Sequence, residues 1–333
     1  MVSDVLEIRD LATHFMTRAG VVKAVDGVSL TVGRGEVLGL VGESGSGKSV
    51  TGYSIMGLVD PPGRVVGGSI KLEGEELVGM DNDSLRHVRG KKIAMIFQDP
   101  MMTLNPVLRI DTQMTEAILA HENVSKKAAL ARAQQALERV GIPAAAERLK
   151  SYPHQFSGGM RQRVAIATAL LNQPAVIIAD EPTTALDVTI QSQILAEIQQ
   201  LCREMGTALI WITHDLTVVA GLAQRIAVMY AGRVVETGLV DEVLDDPLHP
   251  YTRGLLGSLP SAAIAGQPLD QIPGSTPSLG RLPPGCAFSP RCRDATEICR
   301  QEAPVNRYFS NGRQARCHHP LSTIALVATT SDT

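Results

Sequence analysis

A chain of 333 residues that is 44 % hydrophobic and 20 % charged can bury one large core and a smaller one. Its formal charge of −3 leaves no electrostatic footprint for nucleic acid or anionic lipid, and an aromatic share of 3 % leaves the core to Leu, Ile, Val, Ala and Met. The opening MVSDVLEIRD has neither the cationic nor the apolar region of a signal peptide, and no run approaches the roughly 18 apolar residues of a membrane span, so a cytosolic protein with reduced thiols is expected.

In chain order, VLEIRDLATHF and VVKAVDGVSLTV alternate like strands around a turn at RAG. GEVLGLVG is a short apolar strand that runs into a glycine-rich loop, and KSVTGYSIMGLV is a helix expected to stop at Asp60-Pro61-Pro62-Gly63. GSIKLEGEEL reads as a short strand pair, and KKIAMIFQDP as a buried strand ending at Gln98. Helical periodicity dominates from about 99 to 170, as in DTQMTEAILAHE and SKKAALARAQQALERVG. From 174 buried strands and helices alternate again, which predicts parallel βαβ units. The chain therefore divides into an α/β domain over 1–255 with an inserted helical subdomain at about 99–170, a Pro/Gly/Ser-rich linker over 256–284, a cysteine-bearing segment over 285–320 and a frayed tail over 321–333.

Gly42-Glu43-Ser44-Gly45-Ser46-Gly47-Lys48-Ser49 fits G-x-x-x-x-G-K-[ST] between a strand and a helix. Glycines allow backbone N–H groups to turn inward around phosphate oxygens, and the following helix adds its positive N-terminal end. Lys48 would reach the β- and γ-phosphates of ATP, and the Ser49 hydroxyl would hold Mg²⁺. Asp180 ends the apolar strand of AVIIADEP, where it can reach Mg²⁺ through water, and Glu181 can orient the water that attacks the γ-phosphate.

SGGMRQR, at Ser157, Gly158, Gly159 and Met160 onward, lies about twenty residues before that acidic pair. It resembles the signature motif of the ATP-binding cassette (ABC) ATPases, with Met160 where that family commonly has Gln. The resemblance implies a P-loop NTPase (RecA-like) core with an inserted helical subdomain and a small cysteine-bearing C-terminal extension. It implies that the signature completes the ATP site of an opposing subunit. TALD resembles the D-loop with Asp187, Gln98 the Q-loop glutamine that contacts Mg²⁺ and the attacking water, and His214 the switch histidine at the γ-phosphate. Glu181, His214 and Gln98 are then the catalytic set, and Phe15 is the candidate for adenine stacking.

DPMMTLNPV, HPYT and the cysteine-bearing tail resemble the ATPase subunits of dipeptide and oligopeptide importers, with nickel importers as close relatives. The implied partners are a second ABC ATPase, related or identical, two transmembrane permeases and, through them, a solute-binding protein. The implied place is the cytoplasmic face of a bacterial inner membrane. Nickel or another small solute is the alternative cargo. A non-transport ABC ATPase with a redox-sensing tail is the alternative role.

Of five cysteines, four crowd near the C-terminus, Cys286, Cys292, Cys299 and Cys317, spaced C-x5-C-x6-C-x17-C. Zinc sites usually bring close pairs, and none exists here. Four thiolates in a Pro/Gly-rich segment favour a [4Fe-4S] cluster over zinc, with free or disulfide-bonded thiols as the third reading, and the resemblance points the same way. A segment of ~35 residues cannot build its own core, so a metal centre is expected to fix it.

Overall fold

Residues Asp4–Thr17 (β1) and Gly20–Gly33 (β2) are long strands joined by a tight turn, in which the Thr17 hydroxyl donates to the Gly20 carbonyl at 2.8 Å. The computed structural model describes residues 4–183, 188–259, 271–322 and 324–329. Its contacts divide the chain into two units, each interrupted in sequence. The first takes the described residues of 1–6, 31–36 and 71–212, and the second those of 7–30, 37–70 and 213–333.

The first unit contains the end of Gly63–Leu72 (β4), the short strand Glu75–Glu76 (β5), the helix Asn82–Val88 (α2) and the strand Ile93–Ile96 (β6). The helical block follows as Ile110–Leu119 (α3), Lys126–Arg139 (α4), Ala145–Arg148 (α5) and Gly158–Leu170 (α6). It ends with Val176–Asp180 (β7), Val188–Met205 (α7) and Ala208–Thr213 (β8), whose last residue passes into the second unit. Strands β6 and β7 pair in parallel from Ile93–Val176 onward, and β7 and β8 from Val176–Ala208 onward. Every residue of β6, β7 and β8 is buried, as the unbroken apolar runs require when both faces of a parallel sheet are covered. Helix α4 starts at Ser125, whose hydroxyl accepts from the Ala128 N–H, and buries Ala129, Ala133 and Leu137, one stripe at four-residue spacing. Helix α6 is buried almost all round after its first turn, at Gln162, Val164, Ala165, Ile166 and Ala167. Arg163 on α6 pairs with Glu197 on α7 and also donates to the Val140 carbonyl at 2.6 Å.

The second unit contains most of β1, β2 and β4, and a second sheet built around Val37–Val41 (β3). The helix after the glycine loop, Lys48–Met56 (α1), stops at Gly57, whose φ of 63° closes the last turn. It is thus shorter than the pattern through Val59 predicts, because a left-handed glycine ends a helix before the prolines need to. Leu216–Leu222 (α8), Arg225–Tyr230 (β9), Arg233–Leu239 (β10), Val240–Asp245 (α9) and Pro250–Gly257 (α10) complete the body of this unit. Strand β3 pairs with β9 in parallel and β9 with β10 antiparallel, so the sheet is mixed.

Past the linker come Glu297–Gln301 (α11), Arg307–Phe309 (β11), Gln314–Ala315 (β12) and Leu326–Thr329 (β13). Strand β12 pairs with β10 at Glu236–Ala315, β11 with β12, and β13 with β11, giving the order β13-β11-β12-β10-β9-β3. The stretch expected to fray is therefore a strand at 326–329. An open edge on β10 would leave a row of unpaired N–H and C=O groups, and the C-terminal residues fill it.

Candidate functional site

Strand β3 delivers the glycine loop. Gly42, Gly45 and Gly47 have φ of 153°, 78° and 105°. A Cβ on Gly42 would sit 2.2 Å from the Met229 carbonyl oxygen, and one on Gly47 would sit 2.3 Å from that of Ala24. Those two positions need glycine for space as well as for conformation. Gly47 caps α1 without a side-chain hydrogen bond, and a helix start of this kind carries a positive partial charge that favours an anion. Lys48 is 5 % exposed and its Nζ donates to the carbonyls of Gly42 at 2.8 Å and Glu43 at 3.0 Å. The Ser46 hydroxyl is fully buried with no hydrogen-bond partner among the described residues. A buried ammonium, an orphaned buried hydroxyl and a helix N-terminus together fit a polyphosphate anion. Ser44 and Ser49 flank this set. Ser49 lies on α1 as its second residue, where a hydroxyl can ligate a cation.

Within the first unit, Asp180 is the last residue of β7 and 3 % exposed. Glu181 follows with φ of 44°, a left-handed conformation unusual for a non-glycine residue, and its N–H donates to the Ile212 carbonyl at 2.9 Å. The turn holds the carboxylate half-buried, and the Gln98 amide donates to its Oε2 at 3.3 Å. The structure thus brings Gln98 and Glu181 together from strand ends far apart in sequence. Hard oxygen donors of the kinds found at Gln98 and Asp180 suit Mg²⁺, which when bound neutralises phosphate charge.

Ser157 caps α6 by accepting from the Met160 N–H at 3.3 Å, and Ser157 and Gly158 are exposed at the open start of the helix. In the second unit His214 is exposed just after β8. Next to it, Asp215 caps α8 by accepting from the Thr217 N–H at 2.8 Å. Phe15 lies half-buried on β1 with its ring over Gly63, where a Cβ would come within 2.6 Å of it. Asp187 lies outside the described residues.

The sequence reading missed a group of residues around Glu43. Its carboxylate is held by both terminal nitrogens of Arg291 and by the Thr276 hydroxyl, and its N–H donates to the Tyr251 hydroxyl at 2.9 Å. The Arg291 guanidinium is the main reason that the Glu43 carboxyl lies below its ordinary range. Tyr251 belongs to HPYT, which the sequence marked only through family likeness. No local pattern marks Thr276 or Arg291.

His249, first of the same motif, is 1 % exposed and accepts from the Tyr251 N–H at 3.0 Å through Nδ1, capping α10. Burial pushes its imidazole from 6.5 down to about 4. The unfolded chain takes up a proton below about 6.5 that the folded chain refuses until about 4. Stability should therefore fall as pH drops through that window and be unaffected by His249 above it. Thermal unfolding followed against pH checks this. His249→Asn keeps an N-cap acceptor but cannot titrate there, so its profile should be flatter across the window. A slope equal to the parent's would refute the assignment.

The expected iron–sulfur centre is corrected. Among the described residues no group of three or more His, Cys, Asp or Glu side chains is placed to hold a metal ion. Cys286, Cys292, Cys299 and Cys317 are free thiols that line one cavity of about 20 Å³ with Phe288 and Ser289. Burial raises the thiols of Cys286 and Cys292, and pushes Cys317 up to about 12. The segment is fixed in another way. Phe288 packs on Tyr230 and Tyr251 with ring centroids 5.2 and 5.4 Å apart, β12 adds to β10, and Arg313 pairs with Glu236 at 2.7 Å. Cys202, on α7, is buried and raised to about 12, an inert thiol.

Comparison with known proteins follows the same lines. Residues 25–184 match the family model described as ABC transporter, and residues 235–299 match that described as oligopeptide/dipeptide transporter, C-terminal region. The oligopeptide transport ATP-binding protein OppD of Escherichia coli (strain K12) is 47 % identical over 319 residues, covering 96 % of this chain and 94 % of that one. Its namesake from Bacillus subtilis (strain 168) is 52 % identical over 305 residues, covering 91 % of this chain and 85 % of that one. Among solved structures, the dimeric post-hydrolysis state of the ATP-binding cassette MJ0796 with ADP and Pi matches with a TM-score of 0.64 at 28 % identity, over 71 % of this chain and 98 % of that one. The likeness bears out the expected α/β cassette core. No helix among the described residues is long and apolar enough to cross a membrane.

Proposed function

The chain belongs to the ABC transporter family of ATP-hydrolysing subunits, and from that premise we propose that it powers the uptake of oligopeptides through a membrane permease. As a member of that family it binds and hydrolyses ATP. The observation that carries the peptide reading is the match of residues 235–299 to the C-terminal region of oligopeptide/dipeptide transporters, a region outside the ATP-handling motifs.

In this reading the cassette spans 1–255, and the segment over 285–320 is the extension that marks the importer branch. Lys48 and the loop N–H groups hold the phosphates. Ser49, Asp180 and Gln98 face Mg²⁺, and the Glu181 carboxylate orients the attacking water. His214 meets the γ-phosphate, while Ser157, Gly158, Gly159 and Met160 serve the ATP of a second ATPase subunit, and Asp187 is the D-loop residue. Two permeases and a solute-binding protein complete the assembly, with the ATPases at the cytoplasmic face. What supports this is the agreement of residue types with their placement: an anion cradle around Lys48, and a carboxylate held toward an amide at Glu181.

The test is uptake of a labelled oligopeptide by the assembled complex in membranes. ATP should drive it, and Lys48→Ala should reduce it by about tenfold or more, since a phosphate-binding cation in a buried site is worth at least ~1.4 kcal/mol. A complex that ignores oligopeptides but imports nickel or another small solute under ATP would overturn the cargo and leave the ATPase reading standing.

A further inference from the structure

Glu43 is the second residue of the glycine loop, and every polar group it owns is engaged within the same unit. Its N–H donates to the Tyr251 hydroxyl at 2.9 Å, so that amide does not face a phosphate. Its carboxylate accepts from Arg291 Nη1 at 2.6 Å, from Nη2 at 2.9 Å and from the Thr276 hydroxyl at 2.6 Å. Its carbonyl accepts from Lys48 Nζ at 3.0 Å. One peptide thus joins the C-terminal segment, on its side-chain end, to the phosphate-binding lysine, on its backbone end.

Arg291 is itself held. Its side chain is 6 % exposed, its Nε donates to the Pro273 carbonyl at 2.9 Å and its guanidinium lies 5.9 Å from the centroid of the Tyr230 ring. Tyr230 and Tyr251 pack on each other with centroids 4.6 Å apart. The fork is therefore fixed in position and in rotation before Glu43 meets it. A two-pronged guanidinium–carboxylate contact constrains orientation as well as distance, which a lysine in its place could not do.

A loop with glycine at 42, 45 and 47 has backbone freedom that must be lost for its N–H groups and its lysine to converge on phosphate. Glycine supplies the conformation but nothing to hold it. We propose that Arg291, with Thr276 and Tyr251, forms a positioning strap that sets the affinity for ATP by fixing the Glu43 peptide against which Lys48 rests. The inference rests on the reading of Gly42–Ser49 as the phosphate loop. It assigns the C-terminal segment a part in nucleotide handling that neither the loop motif nor the family match contains.

A purely structural anchor would respond differently. Cutting an anchor lowers the melting temperature and leaves ATP binding by the folded fraction intact. Cutting a strap weakens ATP binding in protein that is still folded. The experiment is ATP titration of the full-length chain, with ATPase measurement in the assembled complex, for Arg291→Gln, Arg291→Lys, Thr276→Val, Glu43→Gln and the Arg291→Gln/Glu43→Gln double variant. Arg291→Gln should weaken ATP binding by about tenfold, the size expected for hydrogen bonds to a charged group, and raise KM more than it lowers kcat. Thr276→Val, which removes one hydroxyl and leaves the fork, should lose about two- to threefold. Arg291→Lys should recover part of the loss. The double variant should be no worse than the weaker-binding single variant, because both substitutions cut the same contact.

Unchanged ATP affinity in Arg291→Gln and Thr276→Val, with or without a lower melting temperature, would overturn the proposal. So would additive losses in the double variant. Lys48→Ala separates the levels. If it binds ATP as the parent does, the phosphate-loop reading falls and the strap falls with it. If it loses ATP while the Arg291 and Thr276 variants keep it, the strap alone falls.

Discussion

Glu181→Gln is expected to leave ATP bound and to lower turnover by about 10²–10⁴-fold, the range for loss of a positioned general base. The substitution keeps the shape of the side chain and the strained backbone at φ 44° is common to both residues, so the fold should not register the change. The contact from the Gln98 amide at 3.3 Å needs only an acceptor oxygen, and an amide oxygen supplies one. What disappears is the negative charge that, in the proposed function, polarises water. The assembled complex should therefore retain nucleotide in a binding assay while releasing almost no phosphate, and membrane uptake should stop with it. Normal phosphate release would remove Glu181 from the chemistry. Loss of ATP binding as well would mean that the carboxylate serves the bound state rather than the reaction.

That prediction rests on features a reader of the sequence could find. The loop over 42–49 is local: its glycines and its lysine lie within eight residues, and steric demand at Gly42 and Gly47 explains why nothing else fits there. Gln98, Asp180 and Glu181 sit at or just past the ends of strands whose unbroken apolar runs announce burial, so their placement at the carboxyl ends of the strands follows from strand length. The helical block over 110–170 is legible for the same reason, since α4 buries a stripe spaced at four residues.

The C-terminal segment was legible only in part, and the reason is physical. Its strands are two to four residues long, too short for a period of two to stand out. Its anchors are long-range pairs, Glu43 with Arg291 and Glu236 with Arg313, separated by 248 and 77 residues, and no local spacing records them. The cysteines misled for a related reason. Spacing between thiols says how they follow one another along the chain, but metal binding depends on placement of donors and on thiolate character. Among the described residues that placement is not met. A segment without a large apolar core of its own borrowed one, through Phe288 against Tyr230 and Tyr251.

Arg313→Met tests how firmly that segment is held, and should cost about 3–5 kcal/mol of stability, the range for removing one partner of a buried ion pair. Arg313 is 1 % exposed and Glu236 fully buried. Arg313 Nη2 donates to Glu236 Oε1 at 2.7 Å and to the Asp246 carbonyl at 2.6 Å, and its side chain crosses Gly238, where a Cβ would meet it at 2.8 Å. Glu236 is not idle without the arginine. Its Oε1 accepts from the Leu248 N–H at 2.7 Å and its Oε2 from the His249 N–H at 2.9 Å, which fixes the turn leading into α10. Removing Arg313 leaves a full charge in a dry site with two neutral donors, which hold its geometry but do not balance it. Removing the charge as well should therefore recover part of the loss. Glu236→Gln combined with Arg313→Met keeps one acceptor oxygen for the turn, sets an amide NH₂ against the other backbone N–H, and no longer buries an unpaired carboxylate, so it should be more stable than Arg313→Met alone by about 1 kcal/mol. Denaturant unfolding of the three chains decides it. A double variant less stable than Arg313→Met would mean that the carboxylate holds the turn even unpaired, and that packing of the arginine stem over Gly238, rather than its charge, secures β12 to β10.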